Sequence, residues 1–119
     1  MPCVIFGFHY ISLPMALVVQ KYGGTSVGSL ERIQNVAQRI LDTYAEGNQV
    51  VVVCSAMAGE TDRLVQLAQK LDSSACARGS RELDVVLASG EQISVGLLSL
   101  AINARAAQSV KKKKQTEGA

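Results

Sequence analysis

A lysine, two adjacent glycines and two hydroxyl side chains occur together in residues 20–29, Gln-Lys-Tyr-Gly-Gly-Thr-Ser-Val-Gly-Ser. Glycines let backbone N–H groups approach oxygen atoms closely. The helix predicted after Ser29 adds positive potential at its N-terminus, and Lys21 adds a full charge. This combination is typical of a turn that binds phosphate. The local residues also fit a simpler interpretation, a tight surface turn beside a solvated lysine.

Two common nucleotide-binding motifs do not fit this segment. The spacing from Gly23 to Gly28 is that of a P-loop, but Ser29 stands where the P-loop requires its lysine. The dinucleotide fingerprint Gly-x-Gly-x-x-Gly is not matched either. The segment therefore predicts a different phosphate cradle, in which the lysine precedes the glycines.

A βαβ unit of the α/β class is expected to position this turn. Residues 16–20 are an uncharged run, typical of a strand buried on both faces. Ser29 is the predicted N-cap of a helix that ends at Gly47 and Asn48. Residues 50–54, Val-Val-Val-Val-Cys, have the pattern of a central parallel strand. The apolar stripe of the intervening helix is Leu30, Ile33, Val36, Ala37, Ile40, Leu41 and Tyr44.

A second loop, Ser-Ala-Met-Ala-Gly-Glu-Thr-Asp, follows at 55–62. Because open α/β sheets bind ligands at the carboxyl ends of their strands, loops 21–29 and 55–61 are expected to share one crevice. The hydroxyls of Ser55 and Thr61 can hydrogen-bond a carboxylate. The local residues favour Thr61 as the N-cap of the next helix, whose apolar face is Leu64, Leu67, Ala68 and Leu71.

A polar loop is expected at 72–80, followed by a long apolar helical pattern from Arg81. Its apolar positions are Leu83, Val86, Leu87, Ile93, Leu97, Leu98 and Ala101. Gly90 lies inside this pattern and predicts either a break or a functional requirement, because glycine is unfavourable in a helix. Glu91 fits two interpretations, a ligand for an ammonium group or a solvated surface residue.

Composition limits the class of protein. A chain of 119 residues that is 48% hydrophobic and 18% charged suits one globular domain. The net charge is only +2 and the four lysines 111–114 supply much of the basic character, so no nucleic-acid binding is expected. The three cysteines lack metal-ligand spacing and there is one histidine, so no metal site is predicted.

The first twenty residues contain no Lys, Arg, Asp or Glu. Prolines and polar residues interrupt this stretch and no basic segment precedes it, so neither a membrane span nor a signal sequence is expected. We interpret 1–14 as a leader and Met15 as the natural start.

Three motifs, in order, resemble the aspartate kinase family. Residues 15–26, Met-Ala-Leu-Val-Val-Gln-Lys-Tyr-Gly-Gly-Thr-Ser, are similar to the opening of that family. Residues 50–57 and 59–62 resemble its second strand and loop. Residues 81–84 and 89–94, Arg-Glu-Leu-Asp and Ser-Gly-Glu-Gln-Ile-Ser, resemble its later helical signature.

The resemblance implies the amino-acid kinase fold, a three-layer αβα sandwich, of which only the amino-terminal part is expected here. It divides the chain into a leader, 1–14, a kinase part, 15–110, and a basic tail that departs from the family, 111–119. It implies transfer of the γ-phosphoryl group of ATP, with Mg²⁺, to the β-carboxylate of L-aspartate. The product, 4-phospho-L-aspartate, leads to lysine, threonine and methionine. Family members of full length are expected to be cytoplasmic homo-oligomers.

Site roles are implied in the same way. Lys21 is similar to the lysine that neutralises phosphoryl charge during transfer. Ser55 and Thr61 match positions that contact aspartate, and Glu91 matches the acidic residue that reads its amino group. The implied ATP and phosphate set is Lys21, Tyr22, Gly23 and Gly24.

More than one function fits the sequence. The family's catalytic domain is longer than this chain, so little activity is expected from the chain alone. A kinase for glutamate, N-acetylglutamate or a nucleotide is the nearest rival, and Ser-Ala-Met with Gly-Glu disfavours it. The sequence also fits a non-catalytic subunit that folds only against a partner and, more distantly, a nucleic-acid binder acting through the basic tail.

Overall fold

The computed structural model describes residues 16–117 of the chain, so the leader expected at 1–14 lies outside the described residues. The elements are two strands and four helices: β1 (Leu17–Tyr22), α1 (Leu30–Ala45), β2 (Gln49–Cys54), α2 (Glu60–Leu71), α3 (Ala75–Arg78) and α4 (Arg81–Glu117). The predicted order of strand, helix and strand is confirmed.

The two strands form a parallel pair. Leu17 lies opposite Gln49, and Tyr22 lies opposite Cys54. Parallel neighbours need a long crossover connection, which α1 supplies. Both strands therefore end at the same edge of the sheet, where the loops after them begin.

The hydrophobic core lies on one face of this sheet. Its buried side chains come from the first loop, α1 and α4: Val27, Ile33, Val36, Ala37, Ile40 and Leu98. Tyr22, Val50 and Val52 pack against it from the strands. Thus α1 and α4 form a helical layer over the sheet, while α2 packs against α4.

The opposite face of the sheet is open. The expectation that both strands are buried on both faces is wrong for residues 16–117, because their helices cover only one face. Four apolar side chains are consequently 47–62% exposed: Leu17, Val19, Val51 and Val53.

Helix α1 confirms the predicted caps. The Ser29 Oγ accepts a hydrogen bond from the backbone N–H of Arg32 at 3.2 Å. At the other end Gly47 has a φ of 90°, which favours glycine and ends the helix. Leu30 and Tyr44, at the two ends of the predicted stripe, are exposed rather than packed.

Helix α2 corrects the prediction that Thr61 is its N-cap. The helix begins at Glu60, and the cap position is Gly59, with a φ of 79°. Glycine adopts this backbone conformation freely, so the chain enters the helix before Thr61. Leu64 is buried, whereas Leu71, also placed on the apolar face, is 92% exposed.

The C-terminal half departs from the predicted pattern at two places. The segment expected to be a loop at 72–80 contains the short helix α3, with Arg78 paired to Asp72. Helix α4 runs through Gly90, so of the two predicted alternatives, a break or a functional requirement, the break is wrong. The helix also includes the basic residues 111–114.

Among the described residues, α4 is the one helix long and apolar enough to cross a membrane by length and composition. A core helix of a soluble protein meets the same criterion. In this chain α4 packs on α1 and α2 through buried residues that include Gly90, Ser94 and Leu98, but only 17% of its most apolar 18-residue stretch is buried. The absence of a membrane segment stays a prediction.

Candidate active site

The loops after β1 and β2 contact each other directly. The backbone N–H of Ser55 donates to Tyr22 O at 3.0 Å, and that of Ala58 donates to Gly24 O at 3.2 Å. These bonds connect the carboxyl ends of both strands. The two loops therefore meet at one edge of the sheet, as expected, whereas a ligand crevice lined by both of them stays a prediction.

Two glycines allow this close contact. A Cβ atom on Gly24 would lie 2.9 Å from Ala56 O, and one on Gly28 would lie 3.3 Å from Ala58 Cβ. Neither glycine has a positive φ. Close packing of the loops therefore needs glycine at position 24, and a Cβ at position 28 would be a tight fit. Gly23 is different, because a Cβ atom placed on it would have no atom within 4 Å.

The first loop leaves several backbone donors free. Inside it, the Ser26 N–H donates to Gly23 O at 3.0 Å and the Gly28 N–H donates to Thr25 O at 3.3 Å. Within residues 16–117, the amides of Gly23, Gly24 and Thr25 donate no hydrogen bond. Consecutive free amides close to a helix N-terminus suit an anion.

Arg32 holds this loop against α1. Its Nη1 donates to Thr25 O at 2.6 Å, while its backbone N–H donates to the Oγ of the N-cap Ser29. Sequence reasoning missed this residue. Its position three residues after the predicted N-cap was the available signal, because it places the side chain over the turn that precedes the helix.

Lys21 and Tyr22 lie on opposite faces of the sheet, since side chains alternate along a strand. Lys21 is exposed on the open face, together with Leu17 and Val19. Tyr22 faces the core, and its hydroxyl donates to Gln20 Oε1 at 3.0 Å. The two side chains, predicted to bind one group, are thus separated by the sheet.

The predicted acceptor residues come from neighbouring elements. Ser55 is half-buried at the start of the second loop, whereas Thr61 is exposed in the first turn of α2. Glu91 is exposed on α4 beside Gly90. A Cβ on Gly90 would lie 3.1 Å from Ala56 Cβ, so α4 packs directly onto the second loop.

An ion pair lies in the first turn of α2, directly after the second loop. Arg63 donates to both oxygens of Glu60, at 2.9 Å from Nε and 2.7 Å from Nη2. The hydrogen bond and charge of Arg63 lower the pKa of the Glu60 carboxyl. At the end of β2, burial raises the pKa of the Cys54 thiol, which favours the neutral form.

The described residues offer no assembled metal site. Within residues 16–117, no group of three or more His, Cys, Asp or Glu side chains could hold a metal ion. A ligand set for Mg²⁺ is therefore not assigned to this chain.

Comparison with known proteins agrees with this geometry. Residues 16–113 match the amino acid kinase family. The chain belongs to the amino acid kinase family. The match includes both loops and most of α4.

Several relatives of this family member are named aspartokinases or aspartate kinases. This chain is 52% identical over 94 residues to the aspartokinase of Corynebacterium glutamicum. The match covers 79% of this chain and 22% of that protein. The chain is 46% identical over 96 residues to the aspartokinase of Geobacillus stearothermophilus, covering 81% and 23%. The chain thus spans less than a quarter of these relatives, as expected for part of an aspartate kinase.

A solved structure gives the same result for the fold. The crystal structure of aspartate kinase from Synechocystis is similar with a TM-score of 0.68 and 56% identity. The likeness covers 74% of this chain and 14% of that one. The amino-acid kinase fold expected from the motifs is confirmed, with the described residues forming two parallel strands and one helical layer.

Proposed function

We propose that this chain carries the phosphate-binding and acceptor-binding loops of an aspartate kinase, which transfers the γ-phosphoryl group of ATP to the β-carboxylate of L-aspartate. The observation that carries the proposal is the contact between the two loops, with the Ala58 N–H on Gly24 O at 3.2 Å. The named aspartate kinase relatives support the choice of acceptor.

The first loop is suited to the phosphoryl group. The free amides of Gly23 and Gly24 can donate to phosphate oxygens, and the exposed ammonium of Lys21 can offset their negative charge. An aspartate β-carboxylate oxygen attacks the γ-phosphorus, and the bond to the bridging β,γ-oxygen breaks, releasing ADP. Positioning and charge stabilisation supply most of the catalysis in such reactions.

The second loop and α4 are suited to the acceptor. The hydroxyls of Ser55 and Thr61 would donate to the carboxylates of aspartate, and the Glu91 carboxylate would accept from its ammonium group. Because Glu91 would bind the ammonium group, the site would distinguish an amino acid from a simple dicarboxylate. ATP would bring Mg²⁺ as the complex of its phosphates, and the product would feed lysine, threonine and methionine synthesis.

The complete protein is proposed to be a cytoplasmic homo-oligomer. The 119-residue chain spans 23% of the Geobacillus relative, so we expect little or no kinase activity from it alone. Aspartate-dependent ADP formation by the purified chain would contradict this expectation.

Acceptor choice is tested most simply in a chimera. Residues 16–109 of this chain replace the matching segment of a complete aspartate kinase, such as that of Corynebacterium glutamicum. Acyl phosphate formation is then measured with aspartate, glutamate and N-acetylglutamate. The proposal predicts activity with aspartate only. A folded chimera that prefers glutamate or N-acetylglutamate would show a kinase for another amino acid.

A non-catalytic piece that folds only against a partner is a second candidate, favoured by the open apolar face of the sheet. Size-exclusion chromatography and heat unfolding, with and without ATP, separate the two. A stable monomer that ATP stabilises counts against the partner-dependent candidate. A chain that unfolds cooperatively only when a partner protein is added supports the partner-dependent candidate.

A further inference from the structure

A cavity of about 210 Å³ lies between the first loop and the outer side of α1. Its lining is part polar and part apolar, and it carries two guanidinium groups: Tyr22, Ser26, Arg32, Asn35, Val36 and Arg39. None of these residues is acidic. Lys21, Ser55, Thr61 and Glu91, to which the proposed reaction is assigned, do not line the cavity, although Tyr22 of the implied ATP and phosphate set does.

The two arginines share one face of α1. Arg32 and Arg39 are seven residues apart, which is about two helical turns and roughly 10 Å along the axis. Arg32 donates one hydrogen bond, from Nη1 to Thr25 O, which fixes its guanidinium beside the loop. No salt bridge within residues 16–117 involves either arginine, and the Arg39 guanidinium donates no hydrogen bond there.

Two guanidiniums on one cavity without a carboxylate favour an anionic ligand. Arginine presents a planar fork of N–H donors that matches the oxygens of phosphate, and such charge-assisted hydrogen bonds are the strong ones. The hydroxyl of Ser26 and the amide of Asn35 add neutral donors on the same lining.

The cavity is separate from the Lys21 side of the loop. Tyr22 lines it and faces the core side of the sheet, whereas Lys21 points to the open face. We propose that this cavity is a second oxyanion site, in which Arg32 and Arg39 bind a phosphate group independently of Lys21. The proposal does not depend on the identity of the kinase acceptor.

Titration of the full 119-residue chain with inorganic phosphate tests this site. Binding is followed by amide chemical shifts of residues 22–39 at low ionic strength, where charge interactions are least screened. Arg39→Gln is the main variant, because Arg39 is exposed and its replacement is expected to leave the fold intact. Asn35→Asp, which places a carboxylate in the cavity, is the second. Arg81→Gln and Lys70→Met are matched controls that each remove one positive charge elsewhere.

The expected result is binding of phosphate that weakens about tenfold or more in Arg39→Gln and Asn35→Asp, as for the loss of a charge-assisted contact. Both controls should bind as the unmodified chain does. No binding of phosphate, or equal affinity in Arg39→Gln, would overturn the proposal. Repeating the titration with MgATP identifies the source of the phosphate. If the chain binds MgATP but not inorganic phosphate, and Lys21→Met abolishes that binding, the anion belongs to the Lys21 loop. This result would also overturn the proposal.

Discussion

Gly24 lies directly against the carbonyl of Ala56, where a Cβ atom would stand 2.9 Å from the oxygen. This contact brings the loop after β1 onto the loop after β2. In the proposed function each loop binds a different substrate, so this contact would set the distance between the phosphate and the acceptor. The proposed function depends on it.

Replacing Gly24 with alanine should therefore separate the loops. We expect Gly24→Ala to lower the free energy of unfolding by about 1–3 kcal/mol, as for other cases of overpacking. Urea unfolding measures the change. Gly23→Ala is the matched control and should have little effect on stability, because its Cβ meets no atom within 4 Å. Equal destabilisation by both substitutions would show that the contact is unimportant.

Gly90 should be required by packing on the second loop. A Cβ there would lie 3.1 Å from Ala56 Cβ and 3.4 Å from Leu64 Cδ1, whereas one at Gly96 meets nothing within 4 Å. We expect Gly90→Val to be less stable than Gly96→Val by about 1–3 kcal/mol. Heat unfolding of the two variants gives the comparison. Indistinguishable midpoints would rule out the packing of α4 on this loop.

The open face of the sheet should bind apolar probes. Val19 and Val51 are 62% and 47% exposed on adjacent strands, and contiguous exposed apolar surface favours association. The double variant Val19→Thr, Val51→Thr keeps β-branched side chains and should bind less of the dye ANS without unfolding. The control Val36→Thr, at a buried site, should instead destabilise the core by about 1–3 kcal/mol. Unchanged dye binding in the double variant would mean that this face is covered in solution.

The ion pair in α2 should produce a small, acid-dependent contribution to stability. Arg63 lowers the pKa of the Glu60 carboxyl in the folded chain. Such a group stabilises the fold above its unfolded pKa, and the contribution is lost as the pH falls through the lower folded pKa. In Arg63→Gln the pKa of Glu60 should rise toward its usual value, and less stability should be lost between about pH 5 and 3.

Carbon-detected NMR titration of the Glu60 carboxyl measures this pKa directly. Arg81→Gln removes the same charge at the start of α4 and should leave the Glu60 titration unchanged. A Glu60 pKa that does not move in Arg63→Gln would exclude the ion pair in solution.

The local order of the fold was predictable from the sequence because its signals are local. The apolar runs before Lys21 and Ser55 and the Ser29 cap place β1, β2 and α1 correctly, to within one or two residues. The contact between the two loops followed from the topology alone, since parallel strands joined by a helix end at the same edge.

The remaining features depend on contacts between distant segments. The apolar pattern of β1 and β2 is the same whether one or both faces are covered, so the open face was not predictable. The second loop ends at Gly59, earlier than the predicted N-cap at Thr61. Glycine and a hydroxyl residue can both occupy the cap position, so the sequence alone did not decide between them. The role of Gly90 required knowledge that Ala56 lies against it. Arg39 showed no signal, since an arginine on an amphipathic helix is normally solvated.

The central claim is that the Lys21 loop, held against the second loop, binds the phosphoryl group that is transferred to aspartate. The most direct measurement is aspartate-dependent acyl phosphate formation by the chimera carrying residues 16–109, compared with the same chimera bearing Lys21→Met or Lys70→Met. We predict that Lys21→Met lowers kcat by about 100-fold or more, as for loss of a charge that stabilises the transition state, while Lys70→Met is unaffected. A folded Lys21→Met chimera with undiminished kcat would contradict the claim.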